Sequence, residues 1–366
     1  MQEELRYQIA LTQISQTGDI IAKKLLSIFG TASAIFNATK RELECIEDVG
    51  SGRANAIKQF RDFKRVDQEI AFIEKYQIQP VFYTDPVYSN RLRQCADSPI
   101  MLYFKGQADF NITRIVNVVG TRAPGEYGKH MCEQIVKDLA PYNVMVVSGL
   151  AYGIDILAHR TALENGMTTI GVLAHGLDRI YPLQHKETAK KMLDNGGLLT
   201  EFISETQPDK QNFPRRNRIV AGMTDVTVVI ESGTKGGSLI TADIANSYSR
   251  DVMAVPGRVG DPNAAGCHHL IKTNQAMLIT EAKDILQVMG WESTQKAQKH
   301  PQKELFIELS AEEKQILALF TGDGEKHIDE ICRHSNLPGS QVASLVFQME
   351  MQHVLKSLPG QKYQLV

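Results

Sequence analysis

Seven short runs of apolar, largely β-branched residues, at 115–119, 144–147, 168–173, 198–202, 226–230, 252–255 and 277–279, alternate with stretches of helical or looped pattern. Alternation at this spacing builds βαβ units, with parallel strands in one sheet and crossover helices on both faces. An α/β fold with a parallel sheet is therefore expected for the middle of the chain. In such sheets ligands collect beyond the carboxyl ends of the strands. The glycine-rich and polar residues of this sequence cluster at those ends.

The densest cluster lies within residues 213–245. The run DVTVVI at 225–230 has the look of a strand buried on both faces. It feeds directly into Glu231, Ser232, Gly233, Thr234, Lys235, Gly236, Gly237 and Ser238, followed by a helical pattern from Leu239. A strand, a glycine turn and a helix start together present bare backbone N–H groups to an anion, and the helix dipole adds favourable potential. Upstream, Lys210, Arg215, Arg216 and Arg218 surround Phe213, Pro214 and Asn217. These cations can neutralise phosphates, and the ring offers a platform for an unstacked base. Phe213 in a core, with the arginines as solvated decoration, is the plainer reading. Three arginines near a helix start oppose its dipole, which makes decoration alone a poor explanation. At the first strand end, Gly120 permits a tight turn, Thr121 can offer its hydroxyl and N–H, and Arg122 is a fork-shaped phosphate donor.

With 366 residues, two or three domains are expected. Residues 1–65 read as short helices with glycine turns, and 46–54 is similar to a helix-hairpin-helix element. Behind that turn Arg53, Lys58, Arg61, Lys64 and Arg65 face one acid, Asp62, so a packing module and an auxiliary DNA contact are both open readings. Residues 66–291 hold the sheet domain, entered through strand-like pieces around Pro86 and Pro99. A polar linker is expected at 292–304, and residues 305–366 show the helix–helix–helix–hairpin order of a winged helix. From residue 305 on, five basic residues face eight acidic ones, an excess that favours a protein-contact role for this tail over a phosphate-binding one.

The formal charge of −2 leaves any nucleic-acid site as a local patch on a near-neutral body. Five dispersed cysteines without a C-x-x-C spacing argue for reduced thiols, and no signal pattern or spanning apolar run is seen, so a cytoplasmic protein without a membrane partner is expected. Neither G-x-x-x-x-G-K-[ST] nor a G-x-G-x-x-G after the first strand occurs, which speaks against a P-loop ATPase and against dinucleotide binding. Cys267, His268 and His269 resemble a metal cluster by type but lack a second cluster at ligand spacing, so no metal and no other cofactor is expected. Asp155 and His159 sit four apart on one helix face, where capping and a satisfied core histidine outweigh an acid–base pair. No convincing catalytic set emerges.

Quoted in order, the chain carries VGTR with YG at 119–128, SGLAYGID with AH at 148–159, GLDRIYP at 176–182, FPRRNRIVAG at 213–222, ESGTKGGSLITA at 231–242 and VPG at 255–257. In this series it resembles the DNA-processing protein A (DprA/Smf) family over essentially its whole length. The resemblance implies an extended Rossmann-like domain that binds single-stranded DNA, forms a homodimer and helps load the RecA recombinase during natural transformation. It places the pocket at Arg122, Lys210, Phe213, Arg215, Arg218, Gly233, Lys235, Gly236, Gly237 and Ser238. Two positions depart from the usual pattern: His185 and His268 stand where asparagine is common in the family.

The sequence therefore predicts a non-enzymatic single-stranded DNA-binding protein, with phosphates in the glycine turn and on Arg122, Lys210 and Arg218, and bases splayed toward Phe213. The rival is a nucleotide phosphoribohydrolase of the same superfamily. Its P-G-G-x-G-T-x-x-E signature carries a glutamate that is missing after Gly233 and Thr234 here.

Overall fold

The computed structural model describes residues 2–292, 309–320, 325–352, 354–358 and 361–365. The expected linker at 292–304 lies outside the described residues from Ser293 on. The chain divides into two compact units, Met1–Glu292 and Ser293–Val366.

Nine strands of the first unit form one sheet: β1 (Gln79–Phe82), β2 (Met101–Gln107), β3 (Ile115–Gly120), β4 (Met145–Ser148), β5 (Thr169–Val172), β6 (Gly196–Thr200), β7 (Val226–Ile230), β8 (Asp251–Ala254) and β9 (Met277–Leu278). Their spatial order is β1-β2-β6-β5-β4-β3-β7-β8-β9. The seven strands from β3 to β9 are parallel, while β1 and β2 add an antiparallel edge beside β6. Each expected apolar run is one of the parallel strands; the runs of β3 to β8 are largely buried, where few polar side chains are tolerated, and the edge strand β9 is exposed. Alternation along β3 sorts the layers. Val116 and Val118 pack under helices Glu126–Leu139 and Ile154–Glu164, whereas Ile115 faces the cluster containing Ile219, Val220 and Met223 of helix Asn212–Met223. Buried Asn117 donates to Thr227 Oγ1 at 3.1 Å, which satisfies one polar group inside the sheet.

The chain winds from β3 outward to β6, then returns to place β7 on the other side of β3. Strand order thus reverses between β3 and β7, and the crevice beyond their carboxyl ends is the topological switch point. Both glycine-rich turns picked out in the sequence end there.

The front helices bury Ile9, Leu25, Ile35, Leu43, Ile57 and Ile73 in a core that also takes in Phe82, Met101 and Tyr103 of the sheet edge. Gly50, Ser51 and Gly52 form the first turn of helix Gly50–Gln59. Glu47 and Asp48 stand just before it, each paired with Lys24. In the second unit, helices Ala311–Leu317, Ile328–Ser335 and Gly339–Met351 and a sheet of Lys326–His327, Leu355–Leu358 and Lys362–Leu365 enclose Ile316, Ile331, Val342, Val346 and Leu355, a winged helix.

Candidate functional site

A cavity of about 580 Å³ opens at the switch point. Gly120, Thr121 and Arg122 form the wall after β3, and Gly233, Lys235, Gly236, Gly237 and Ser238 the wall after β7. Lys210, Phe213, Arg216 and Asn217 close it from the third side. Three segments far apart in sequence thus converge because β3 and β7 are neighbours and helix Asn212–Met223 immediately precedes β7.

The turn after β7 leads into helix Gly237–Ser247, whose first N–H groups, on Gly237 and Ser238, take no protein acceptor among the described residues. A side chain at Gly237 would meet nothing within 4 Å, so the space in front of the helix start is open. Such a terminus is an anion site by construction. Two donors expected there are otherwise engaged. The Thr121 N–H donates to the Glu231 carbonyl at 2.7 Å, which stitches the two strand ends together. The Ser238 hydroxyl donates to Ser232 Oγ at 2.8 Å, leaving its backbone N–H as the available donor.

The cations divide sharply. Arg122 lies with its guanidinium carbon 5.6 Å from the centre of the Phe213 ring, a cation–π contact at the cavity wall. Neither Arg122, Lys210 nor Lys235 makes an ion pair or hydrogen bond among the described residues. Arg216 is buried beneath the floor, donating to the Val172 carbonyl at 3.0 Å, and burial lowers its pKa. A Cβ on Gly149 would lie 1.5 Å from Arg216 Nη1, so the glycine of that strand end exists to admit this side chain.

Arg215 and Arg218 are not brought to the cavity, which corrects the expectation that they complete it. Arg218 is ion-paired with Glu201 and, at 3.2 Å, with Asp19 of the front helices. Arg215 reaches Glu201 at 3.3 Å and lies over the Phe202 ring at 5.1 Å. Helix geometry explains the split: Phe213, Arg216, Asn217 and Val220 share one face at 3.6-residue spacing, and Arg215 and Arg218 share another.

The acids near the cavity are occupied. Asp155 accepts the N–H groups of Gly149 (3.1 Å) and Ala151 (3.4 Å), bracing the loop after β4, and burial raises its pKa against the pull of Arg216. Glu231 accepts the N–H groups of Gly125 (2.8 Å) and Gly128 (3.0 Å), capping helix Glu126–Leu139. His159 shares 2.7 Å with Thr169 Oγ1, and burial, with His185 and Arg216 adding, lowers its pKa to about 3. It is a neutral core histidine. His185 binds the Leu150 carbonyl (2.8 Å) and His268 the Gly257 carbonyl (3.0 Å), so each ring is engaged with a backbone oxygen.

Sequence reasoning by residue type missed the neighbouring hollow of about 70 Å³, where Tyr152, His175 and Tyr181 meet Arg122, Phe213 and Arg216. His175 Nε2 accepts the Tyr181 N–H at 3.3 Å and sets the loop that carries this tyrosine. The motifs SGLAYGID and GLDRIYP contained these residues, but nothing local says that their loops meet.

A doubly wound α/β sheet with an open anion cradle at its switch point, joined in one chain to a winged helix, defines a Rossmann-like class of protein. Residues 79–290 match the family described as DNA recombination-mediator protein A, and residues 300–361 match the DprA winged helix domain. The chain belongs to the DNA recombination-mediator protein A (DprA/Smf) family. It is 39% identical over 255 residues to a putative DNA processing protein DprA of Mycobacterium tuberculosis, covering 69% of this chain and 65% of that protein. The chain therefore spans just under two thirds of the length of that relative. The crystal structure of DprA from Streptococcus pneumoniae superposes with a TM-score of 0.66 at 32% identity, covering 77% of this chain and 97% of the other. A structure of DNA processing protein A from Helicobacter pylori, described for its single-stranded DNA binding mode, gives a TM-score of 0.53 at 27% identity, covering 58% and 96%.

Proposed function

We propose that this chain binds single-stranded DNA without sequence preference and without catalysis, and that it acts as a homodimeric mediator that helps load RecA onto incoming strands. One observation carries the reading: Arg122, Lys210 and Lys235, without ion-pair partners among the described residues, stand with helix-start N–H groups that take no acceptor there around one open cavity beside the Phe213 ring. Phosphates suit the amides and cations, and an unpaired base suits the ring, with little sequence readout because every base has a π-face. Asp155 and Glu231 are committed to backbone N–H groups, which supports a binding role over a hydrolase role.

The family description as a recombination mediator supports the RecA role, and the exposed Met277 and Leu278 on edge strand β9 support self-association. The third winged-helix element presents Ser340, Ala343, Ser344, Phe347, Gln348 and Met351 to solvent without a cation among them, which supports contact with protein rather than phosphate. Among the described residues no helix is long and apolar enough to cross a membrane, and we place the protein's work in the cytoplasm.

The test is fluorescence anisotropy with matched single- and double-stranded oligonucleotides at several salt concentrations. Single strands should bind tighter, because a paired base cannot reach Phe213. Equal affinity for both, or none at low salt, refutes the reading.

A further inference from the structure

Ser204 is held on three sides by one helix of the front module. Its N–H donates to both carboxylate oxygens of Glu69, at 3.1 and 3.0 Å, and its hydroxyl donates to Glu69 Oε2 at 2.5 Å. Its carbonyl accepts from Arg65 Nη2 at 2.6 Å. Arg65 and Glu69 lie one turn apart on helix Phe63–Tyr76 and pair with each other at 2.9 Å. Glu69 is 2% exposed, and burying an ion pair costs desolvation that plain packing of apolar residues would avoid. Such a pair makes sense where one geometry has to be enforced.

The segment so held is the connection between β6 and helix Asn212–Met223, the part of the chain that carries Lys210. Beyond Ser204 the connection is bonded at successive turns. Glu205, at φ +68°, donates its N–H to Asp178 Oδ1 at 2.9 Å. The Gln207 carbonyl accepts the Asp209 N–H (2.9 Å) and Asn212 Nδ2 (3.0 Å), and the Asn212 N–H donates to the Asp209 carbonyl at 3.0 Å. Lys210 alone reaches out of this bonded frame to the cavity wall. Ser204 is thus one anchor of the frame that carries Lys210, beside Asp178 at Glu205, the Gly176 N–H at the Thr206 carbonyl and Arg179 at Gln207.

We propose that Arg65 and Glu69 are positioning residues for single-stranded DNA binding: their clamp on Ser204 aims Lys210 into the cavity. This rests on the reading of the cavity given above, and it assigns the front helices a role in binding without any contact to the strand.

The experiment uses the full chain, with anisotropy across a salt series and thermal melting for each variant. Glu69→Ala should weaken single-strand binding roughly fivefold to tenfold and flatten the salt slope by about 0.7, the value of one lost phosphate contact. In a Lys210→Ala background the same change should cost nothing further. Arg65→Ala, on a more exposed side chain, should show the same pattern more weakly and serves if Glu69→Ala does not fold. Arg65→Lys, which keeps a donor to the Ser204 carbonyl, should recover most of the slope. The proposal is overturned if both alanine variants melt earlier while affinity and slope stay at wild-type values, or if their losses multiply with that of Lys210→Ala. A wild-type protein that fails to bind single strands at all would sink the cavity reading itself, and the clamp's purpose with it.

Discussion

Two regions of this chain are rich in cations and use them in opposite ways. In the front helices Lys58 donates to the carbonyls of Phe36 (2.6 Å) and Ala38 (2.8 Å), and Arg61 to those of Lys58 and Phe60, each at 2.9 Å. Arg53 serves the carbonyls of Gln16 and Asp48, and Arg65 is bound to Ser204 and Glu69. Arg53, Lys58 and Arg61 satisfy carbonyls at or beside helix ends, as helix termini require, whereas the exposed Lys64 takes no ion-pair partner among the described residues. At the strand-end cavity Arg122, Lys210 and Lys235 have no such employment among the described residues. Charge counted along a sequence therefore does not locate an anion site; what locates it is whether the chain's own oxygens have already taken the donors. The comparison favours the packing reading of the front module and fits the proposal that phosphate is held at the cavity.

The contrast is sharpest between two arginines, and replacing Arg218 should have the largest effect. Arg218→Ala strips the buried partner from Glu201 and Asp19 and should cost about 3–5 kcal/mol of stability. Chemical denaturation checks this, and a normal melting curve with lost DNA binding would return Arg218 to the site. Arg122→Ala should do the reverse, lowering single-strand affinity by roughly tenfold to a hundredfold with the melting temperature unmoved, since one charge-assisted contact is worth about 1.5–3 kcal/mol. Its salt slope should fall by about 0.7, read in the same titration. Phe213→Ala should lose roughly tenfold in affinity, within the 1–3 kcal/mol range for base stacking, and keep its salt slope. A loss that shrinks away as salt rises, with a flattened slope, would remove the ring from base contact. Smallest of all, Lys58→Ala should cost about 1 kcal/mol of stability and leave binding alone. If instead it weakens DNA binding, the two regions are not different in kind.

Much of this was legible without coordinates. Each of the seven apolar runs became a parallel strand, and the turns at 120–122 and 231–238 were readable as strand-end features because periodicity and glycine placement are local properties. That Arg218 stands away from the cavity, paired with acids, was not legible for an equally plain reason. Its orientation follows from where helix Asn212–Met223 begins and from Glu201 and Asp19, the latter 199 residues away. The availability of Thr121 was misjudged in the same way, since its N–H is taken by the Glu231 carbonyl across the sheet. The tyrosines at 152 and 181 gave no signal of convergence, because their loops meet only when β4 and β5 lie side by side.

What the amino-acid order determined by itself is the βαβ alternation, the buried character of the inner strands and the existence of an amide-rich turn after β7. All of these arise from residues within a few positions of one another. Which cations face outward was decided only in three dimensions. A long basic side chain binds whichever oxygen the packed fold brings within reach, and those oxygens are mostly distant in the chain.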